Sequence, residues 1–86
     1  MRLLHLSKRA QNAGHRLAPR GTRERAALAQ VLHGLTDEAI PLVGPGDREI
    51  THGSSVMGRL VPGTDLTVCY VPGGNDVFVV NIVRAG

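Results

Sequence analysis

The sequence predicts an α+β domain in which an N-terminal helix or helical hairpin packs on a three- to four-stranded antiparallel sheet. Two observations predict this class. The apolar residues change from a helical period to alternation near residue 48, and short Pro/Gly-rich turns separate the β-rich runs that follow. Helices on one face of an antiparallel sheet are the arrangement that buries both patterns. A length of 86 residues favours a single domain, 1–86.

The first half of the chain predicts an extended start and two helices. Residues 2–6 have the pattern of a short strand or extended segment. Ser7 is a suitable N-cap for a short helix that Pro19 must end. Thr22 caps the stronger helix, RERAALAQVLHGL. Its apolar residues recur at helical spacing and form one stripe: Leu28, Val31, Leu32 and Leu35.

The second half predicts four strands, Arg48–His52, Val56–Val61, Leu66–Val71 and Val77–Val83. The turns between them are short and favour antiparallel hairpins. The last strand is apolar on both pleat faces over residues 77–80. We therefore expect this strand to be central in the sheet and covered by a helix on at least one side.

Charge is segregated along the chain. The first 35 residues carry seven Lys or Arg against one acid, Glu24, a net charge of +6, whereas the remaining 51 residues carry −3. Arginine, nine of the ten basic residues, binds phosphate bidentately and stays charged near pH 7. The basic half therefore predicts nucleic acid or an acidic protein segment as partner, although a GC-rich genome also favours arginine regardless of function. The candidate nucleic-acid-binding residues surround one predicted turn: Arg16, Arg20, Arg23 and Arg25.

Other classes of protein are disfavoured by composition. Cys69 is the single cysteine, which excludes an intrachain disulfide and a multi-thiolate zinc site and fits a reducing, cytoplasmic location. The histidine spacings do not match a metal site, so we expect no metal and no cofactor. No apolar stretch approaches the ~18 residues of a membrane span, and the N-terminus is unlike a signal peptide. Only two aromatic residues argue against recognition of nucleic acid by base stacking.

The run GRLVPGTDLTVCYVPGGNDVFVVNIVRAG resembles the C-terminal half of the RelE/ParE toxin superfamily. It contains an arginine-bearing strand, a tight turn, an apolar strand ending in tyrosine, a polar turn and a Val/Ile-rich strand ending in a basic residue. These features are Arg59, Tyr70, Asn75-Asp76, Val77–Val83 and Arg84. The basic, Ala/Leu-rich helices and the LSKRA start resemble the helical hairpin and opening segment of that superfamily in layout.

The resemblance implies a bacterial toxin with a cognate antitoxin that wraps it. RelE-like members cut RNA, typically messenger RNA on the ribosome, so the chain would be a metal-independent endoribonuclease. ParE-like members instead inhibit DNA gyrase. The sequence stops two residues after Arg84, without the C-terminal extension of many RelE-like toxins, and lacks a lysine pair often found before the second strand. These departures keep the gyrase inhibitor open, together with a non-toxic interaction domain on the same scaffold.

Metal-independent RNA cleavage needs a base near the 2′-hydroxyl, an acid near the leaving oxygen and cations at the phosphate. Arg59 and Arg84 are the candidate cations, and we expect their guanidinium groups to converge on one pocket. Glu49 and His52 are candidates for base or acid, but three positions apart they would not share a face of an ideal strand. The Tyr70 hydroxyl is a further candidate. The simpler interpretation is that Arg59 and Arg84 each mark a solvent edge, that His52 is a loop residue and that Tyr70 packs its ring.

Overall fold

Two helices lie on one face of a five-stranded sheet. The computed structural model describes residues 1–84. In chain order the elements are β1 (Leu3–Leu6), α1 (Lys8–Leu17), α2 (Arg23–Leu35), β2 (Arg48–Glu49), β3 (Met57–Leu60), β4 (Leu66–Gly73) and β5 (Asp76–Arg84). The strand order is β1-β5-β4-β3-β2. The α+β class is confirmed.

The sheet is mixed and has five strands, so the predicted antiparallel sheet of three or four strands is wrong in detail. β1 pairs with β5 in parallel, from Leu3 opposite Asp76 to Leu6 opposite Val79. The other three pairings are antiparallel. The reason is physical: without β1, the apolar strand β5 would be an edge with unpaired backbone groups. The extended start therefore completes the sheet, and β5 lies inside it between β1 and β4, as expected of a central strand.

Both helices begin at the residues that the sequence predicts. The Ser7 hydroxyl accepts a hydrogen bond from the Ala10 N–H at 3.0 Å, and the Thr22 hydroxyl accepts one from the Arg25 N–H at 3.2 Å. Each bond satisfies a backbone donor that the first helical turn leaves without a partner. α1 ends two residues before Pro19, because proline has no N–H to continue the helical hydrogen bonds.

β2 is shorter than the predicted strand Arg48–His52. Only Arg48 and Glu49 pair with β3, because the chain turns back after them. Gly53 takes a φ of 81°, a conformation that favours glycine, and its N–H donates to the Glu49 carboxylate at 3.0 Å. The turn replaces the second half of the predicted strand.

A β-bulge in β5 sets which of its side chains face the helices. Cys69 lies opposite Asn81 but Tyr70 lies opposite Val79, so Val80 is an extra residue on β5. Strict alternation from Val79 would bury Asn81; the bulge instead places Ile82 in the core. The Ser7 hydroxyl donates to the Val80 carbonyl at 2.8 Å, which ties the start of α1 to the bulge.

The core lies between the helices and the covered face of the sheet. Its members are small on α1 and aliphatic elsewhere, apart from one buried tyrosine: Ala10, Ala13, Ala18, Leu28, Val31, Leu35, Val61, Leu66, Val68, Tyr70, Val77, Val79 and Ile82. Cys69 points to the opposite face, as alternation predicts, but it is buried there, and burial raises the pKa of its thiol. On that open face the His5 ring stacks on Phe78, with ring centroids 4.8 Å apart.

Candidate functional site

Arg59 is held in place by oxygen atoms of its own chain. On β3 it lies opposite Val68, a core residue, so its side chain projects toward the covered face. Its Nη2 lies 2.8 Å from Asp47 Oδ2 and its Nε lies 3.0 Å from Asp47 Oδ1, a bidentate pair. Nη2 also donates to the Leu42 carbonyl at 2.6 Å. The guanidinium therefore anchors the loop that connects α2 to β2.

Tyr70 completes this cluster from β4. Its hydroxyl donates to Asp47 Oδ2 and lies 3.3 Å from the Leu42 carbonyl, and its ring centroid is 5.6 Å from Arg59 Cζ. The Asp47 carboxylate also accepts the Gly44 N–H at 3.1 Å. Tyr70 is fully buried, and its hydroxyl is bound to Asp47.

The cluster is an ion pair with little access to water. Burial of the Asp47 carboxyl opposes its ionisation, but hydrogen bonds from Arg59, Tyr70 and the Gly44 N–H outweigh burial and lower the pKa of Asp47. The hydrogen bond to Asp47 raises the pKa of Arg59. Burial, followed by the hydrogen bond to Asp47, raises the pKa of Tyr70. Asp47 and Arg59 are therefore both charged, and Tyr70 is a neutral donor.

Asp47 and Leu42 are the members of this cluster that sequence reasoning missed. Asp47 lies twelve residues before Arg59 in a stretch rich in Pro and Gly, where the sequence predicts no regular element. A second arginine holds the same loop: Arg2 donates to the carbonyls of Asp37 and Ile40, each at 2.7 Å. Basic residues paired with backbone carbonyls leave no sequence signal.

Glu49 and His52 come together, contrary to the expectation for an ideal strand. The turn after β2 brings His52 Nδ1 to 3.8 Å from Glu49 Oε2. The His52 side chain is fully exposed and Glu49 is half exposed. Glu49 lies opposite Met57, which lies opposite Tyr70, so Glu49 and Arg59 belong to the same face of neighbouring strands. The strand register thus puts Glu49 on the same face of the sheet as Arg59 and Tyr70, with His52 in the turn that follows Glu49.

Arg84 is not brought to that region. It lies opposite Leu66 and so projects toward the same face as Arg59, but β4 separates the two arginines. Its Nε lies 3.4 Å from Asp65 Oδ2, and both of these side chains are more than half exposed. The two arginines that were expected to converge on one pocket are held by two different carboxylates.

The four basic residues around the α1–α2 turn have different surroundings. Arg25 donates from Nε to the Ala18 carbonyl at 2.7 Å and lies near His15, so it fixes the turn. Arg20 and Arg23 are exposed on the turn and the start of α2. Arg16 lines a groove beside β5 together with Arg9. The predicted patch is therefore divided between a structural arginine and exposed ones.

Solved structures similar to this chain include a bacterial toxin and a toxin–antitoxin system. A metal-bound toxin from Helicobacter pylori has 20% identity and a TM-score of 0.74, with 98% of this chain and 94% of that one covered. YafQ from Escherichia coli has 14% identity and a TM-score of 0.73, with 98% and 93% covered. The chromosomal ParDE toxin–antitoxin system of Pseudomonas aeruginosa has 12% identity and a TM-score of 0.69, with 100% and 98% covered. This chain has the RelE/ParE toxin fold.

The resemblance that the sequence shows is thus confirmed as a shared RelE/ParE fold. Neither a protein-family model nor a curated protein sequence matches the chain.

The Helicobacter protein is a metal-bound toxin. Among residues 1–84, no three His, Cys, Asp or Glu side chains come together in a way that would hold a metal ion. The helices of this part of the chain are also too short and too polar to cross a membrane.

Proposed function

We propose that this protein is the toxin of a toxin–antitoxin pair and that it cleaves RNA without a metal. The toxin assignment is supported by one observation: known toxins share its fold over 98% or more of the chain. A cognate antitoxin is the partner that this assignment requires. RNA cleavage is the finer proposal, and it depends on the region around Arg59.

Arg59 is the proposed phosphate-binding cation. Its Nε and Nη2 are bound to Asp47 and Leu42, and its Nη1 makes no hydrogen bond with any residue of 1–84. Arg59 also lines a cavity of about 300 Å³ beside Gln30 and Leu60. A guanidinium fixed in advance stabilises the charge that builds on a phosphate, because it does not reorganise during the reaction. Asp47 and Tyr70 are positioning residues in this proposal.

Glu49 and His52 are the proposed proton-transfer pair. Glu49 at the end of β2 and His52 in the exposed turn after it lie 3.8 Å apart, and Glu49 is on the face of the sheet that carries Arg59. A base that removes the 2′-hydroxyl proton and an acid that protonates the leaving 5′-oxygen are the two roles to be filled. Arg84 lies apart, paired with Asp65, and has no role in this proposal.

Inducible expression in a bacterial host tests the proposal at two levels. Growth arrest with new RNA ends supports a toxin that cleaves RNA, and harmless expression contradicts the toxin assignment. Arg59→Lys keeps a cation beside Asp47 but loses the guanidinium fork, so we expect RNA cleavage to fall about 10²–10³-fold. Arg84→Lys is the matched control, and we expect it to lose less than about threefold because Arg84 is outside the site. A thermal melt verifies that both variants are folded.

A gyrase inhibitor is the second candidate, and one observation favours it. Most donors of Arg59 are already used by Asp47 and Leu42, as in an arginine that only stabilises a loop. This candidate predicts growth arrest without RNA cleavage, together with inhibition of DNA supercoiling by the purified protein. Unchanged RNA cleavage by the Arg59→Lys variant would remove Arg59 from the catalytic site.

A further inference from the structure

A groove between α1 and β5 differs in character from the Arg59 region. It is lined by Arg9, Asn12, Ala13, Arg16 and Asn81 and has a volume of about 540 Å³. The three polar residues of α1 are spaced at i, i+3 and i+7, so they lie on one face of the helix. Arg9 and Arg16 are separated by two helical turns, about 10 Å along the axis. We call this feature the α1 groove.

The charges of the α1 groove are not neutralised by the described part of the chain. Neither Arg9 nor Arg16 forms an ion pair or a side-chain hydrogen bond with any residue of 1–84, and both are exposed. Arg2, Arg25 and Arg59, by contrast, all donate to oxygen atoms of the chain. An unpaired arginine pair in a concave site attracts anions from solution.

Asn81 contributes hydrogen-bond donors to the α1 groove. Its Oδ1 accepts the Ile82 N–H at 2.9 Å, which identifies the acceptor end of the amide. The two donors of the side-chain amide are therefore on the opposite end, away from that backbone bond. The bulge at Val80 is what removes Asn81 from the core and makes it part of the groove. The guanidinium donors of Arg9 and Arg16 and the amide donors of Asn81 are the kinds of group that bind phosphate oxygens.

We propose that the α1 groove binds successive phosphates of one polynucleotide strand. A protein partner would need an apolar anchor, and the lining offers only the small Ala13 side chain. The lining also has no aromatic ring, so the α1 groove binds the backbone and not the bases, independently of sequence. That the natural strand is RNA and not DNA rests on the function proposed above. The binding of phosphates is argued from the α1 groove alone.

Equilibrium binding of a fluorescent 2′-O-methyl RNA 20-mer to the purified protein tests this site. Such a strand has no free 2′-hydroxyl and survives a nuclease that needs one, so binding is separated from cleavage. Arg9→Gln/Arg16→Gln should lower the affinity about twentyfold at 0.1 M salt and reduce the salt slope by about 1.4, the value for two contacts to a single strand. Arg20→Gln/Arg23→Gln removes the same charge from the part of the predicted basic patch that lies outside the α1 groove. A loss below threefold there would assign strand binding to the α1 groove and not to the patch.

A second pair of variants keeps the shape of the site. Asn81→Asp retains the oxygen that accepts the Ile82 N–H but replaces the amide donors with a negative charge, so we expect at least a tenfold loss of affinity. Asn75→Asp makes the same change in the β4–β5 turn and should change affinity less than twofold. Oligo(A) and oligo(U) should bind alike, and a deoxy strand of the same sequence shows whether RNA is preferred.

Equal losses from the two arginine pairs, or from the two asparagine variants, would overturn the proposal, because they would indicate diffuse charge and no site. The proposal would also be overturned if the strand did not bind and an acidic peptide bound in a manner that depends on Arg9 and Arg16. Growth arrest without strand binding would reject this site but leave the toxin assignment standing.

Discussion

Arg59 and Arg16 carry the same side chain in opposite surroundings. Arg59 is about one-fifth exposed and is paired with Asp47, whose side chain is only 3% exposed. Arg16 is exposed in the α1 groove beside Arg9, without a partner among the described residues. Arg59 and Arg84 of the C-terminal half pair with carboxylates, whereas Arg9 and Arg16 of α1 have no such partner among residues 1–84.

Asp47→Asn tests the structural side of this comparison and should have the largest effect. The amide keeps the shape of Asp47 but leaves the Arg59 cation without a counter-charge, so we expect a loss of about 3 kcal/mol in the free energy of unfolding, measured with urea. Asp65→Asn is the control: it removes the carboxylate beside Arg84 at an exposed site and should cost less than about 0.5 kcal/mol. Similar costs for the two variants would show that Asp47 is as well solvated as Asp65.

The pH dependence of stability should identify the same carboxylate. Because the folded-state pKa of Asp47 lies below its ordinary value of 3.8, its ionised form stabilises the fold fully above pH 3.8. That stabilisation is lost as the pH falls through the lower folded-state pKa. Melting temperatures from pH 7 to pH 2 should therefore show a wide gap between wild type and Asp47→Asn that narrows only below 3.8. A gap of constant width would mean that the charge of Asp47 is not what stabilises the loop.

Tyr70→Phe removes a single hydrogen-bond donor from the cluster. The ring still fills its place in the core, so the expected cost is only the lost bond to Asp47, about 1–2 kcal/mol. The proposed RNA cleavage should persist at a temperature at which both wild type and variant are folded, because Tyr70 is buried and would act only through Asp47. Loss of cleavage without loss of stability would place the Tyr70 hydroxyl in the reaction itself.

Local patterns in the sequence predict the elements of this fold. Ser7 and Thr22 cap the helices because a hydroxyl before an apolar-periodic run satisfies free N–H groups, which is a matter of a few neighbouring residues. The four later strands are found for a similar reason, since alternation and turn residues are short-range signals. The RelE/ParE resemblance also rests on these patterns and is confirmed as a fold.

Long-range pairings are what the sequence does not predict. β1 pairs with β5, more than 70 residues later, and nothing in Leu3–Leu6 specifies that partner. Asp47 lies at the end of the irregular loop before β2 and binds Arg59 on β3. Neither residue indicates the other in the sequence. The turn that brings His52 to Glu49 and the bulge that moves Asn81 out of the core both break the strand period on which sequence reasoning depends.

Arg9→Gln and Arg16→Gln test the accessible side of the comparison and should have the smallest effects on stability. Arg9 lies in the first turn of α1, which contains no acidic residue, and Arg16 lies in the last turn. The helix dipole disfavours a cation at the first position and favours one at the second, by about 0.3–0.5 kcal/mol each. Arg9→Gln should therefore raise the free energy of unfolding slightly, Arg16→Gln should lower it, and the double variant should match wild type in a urea titration. A loss above 1 kcal/mol in the double variant would show that these guanidinium groups hold the fold together as Arg59 does.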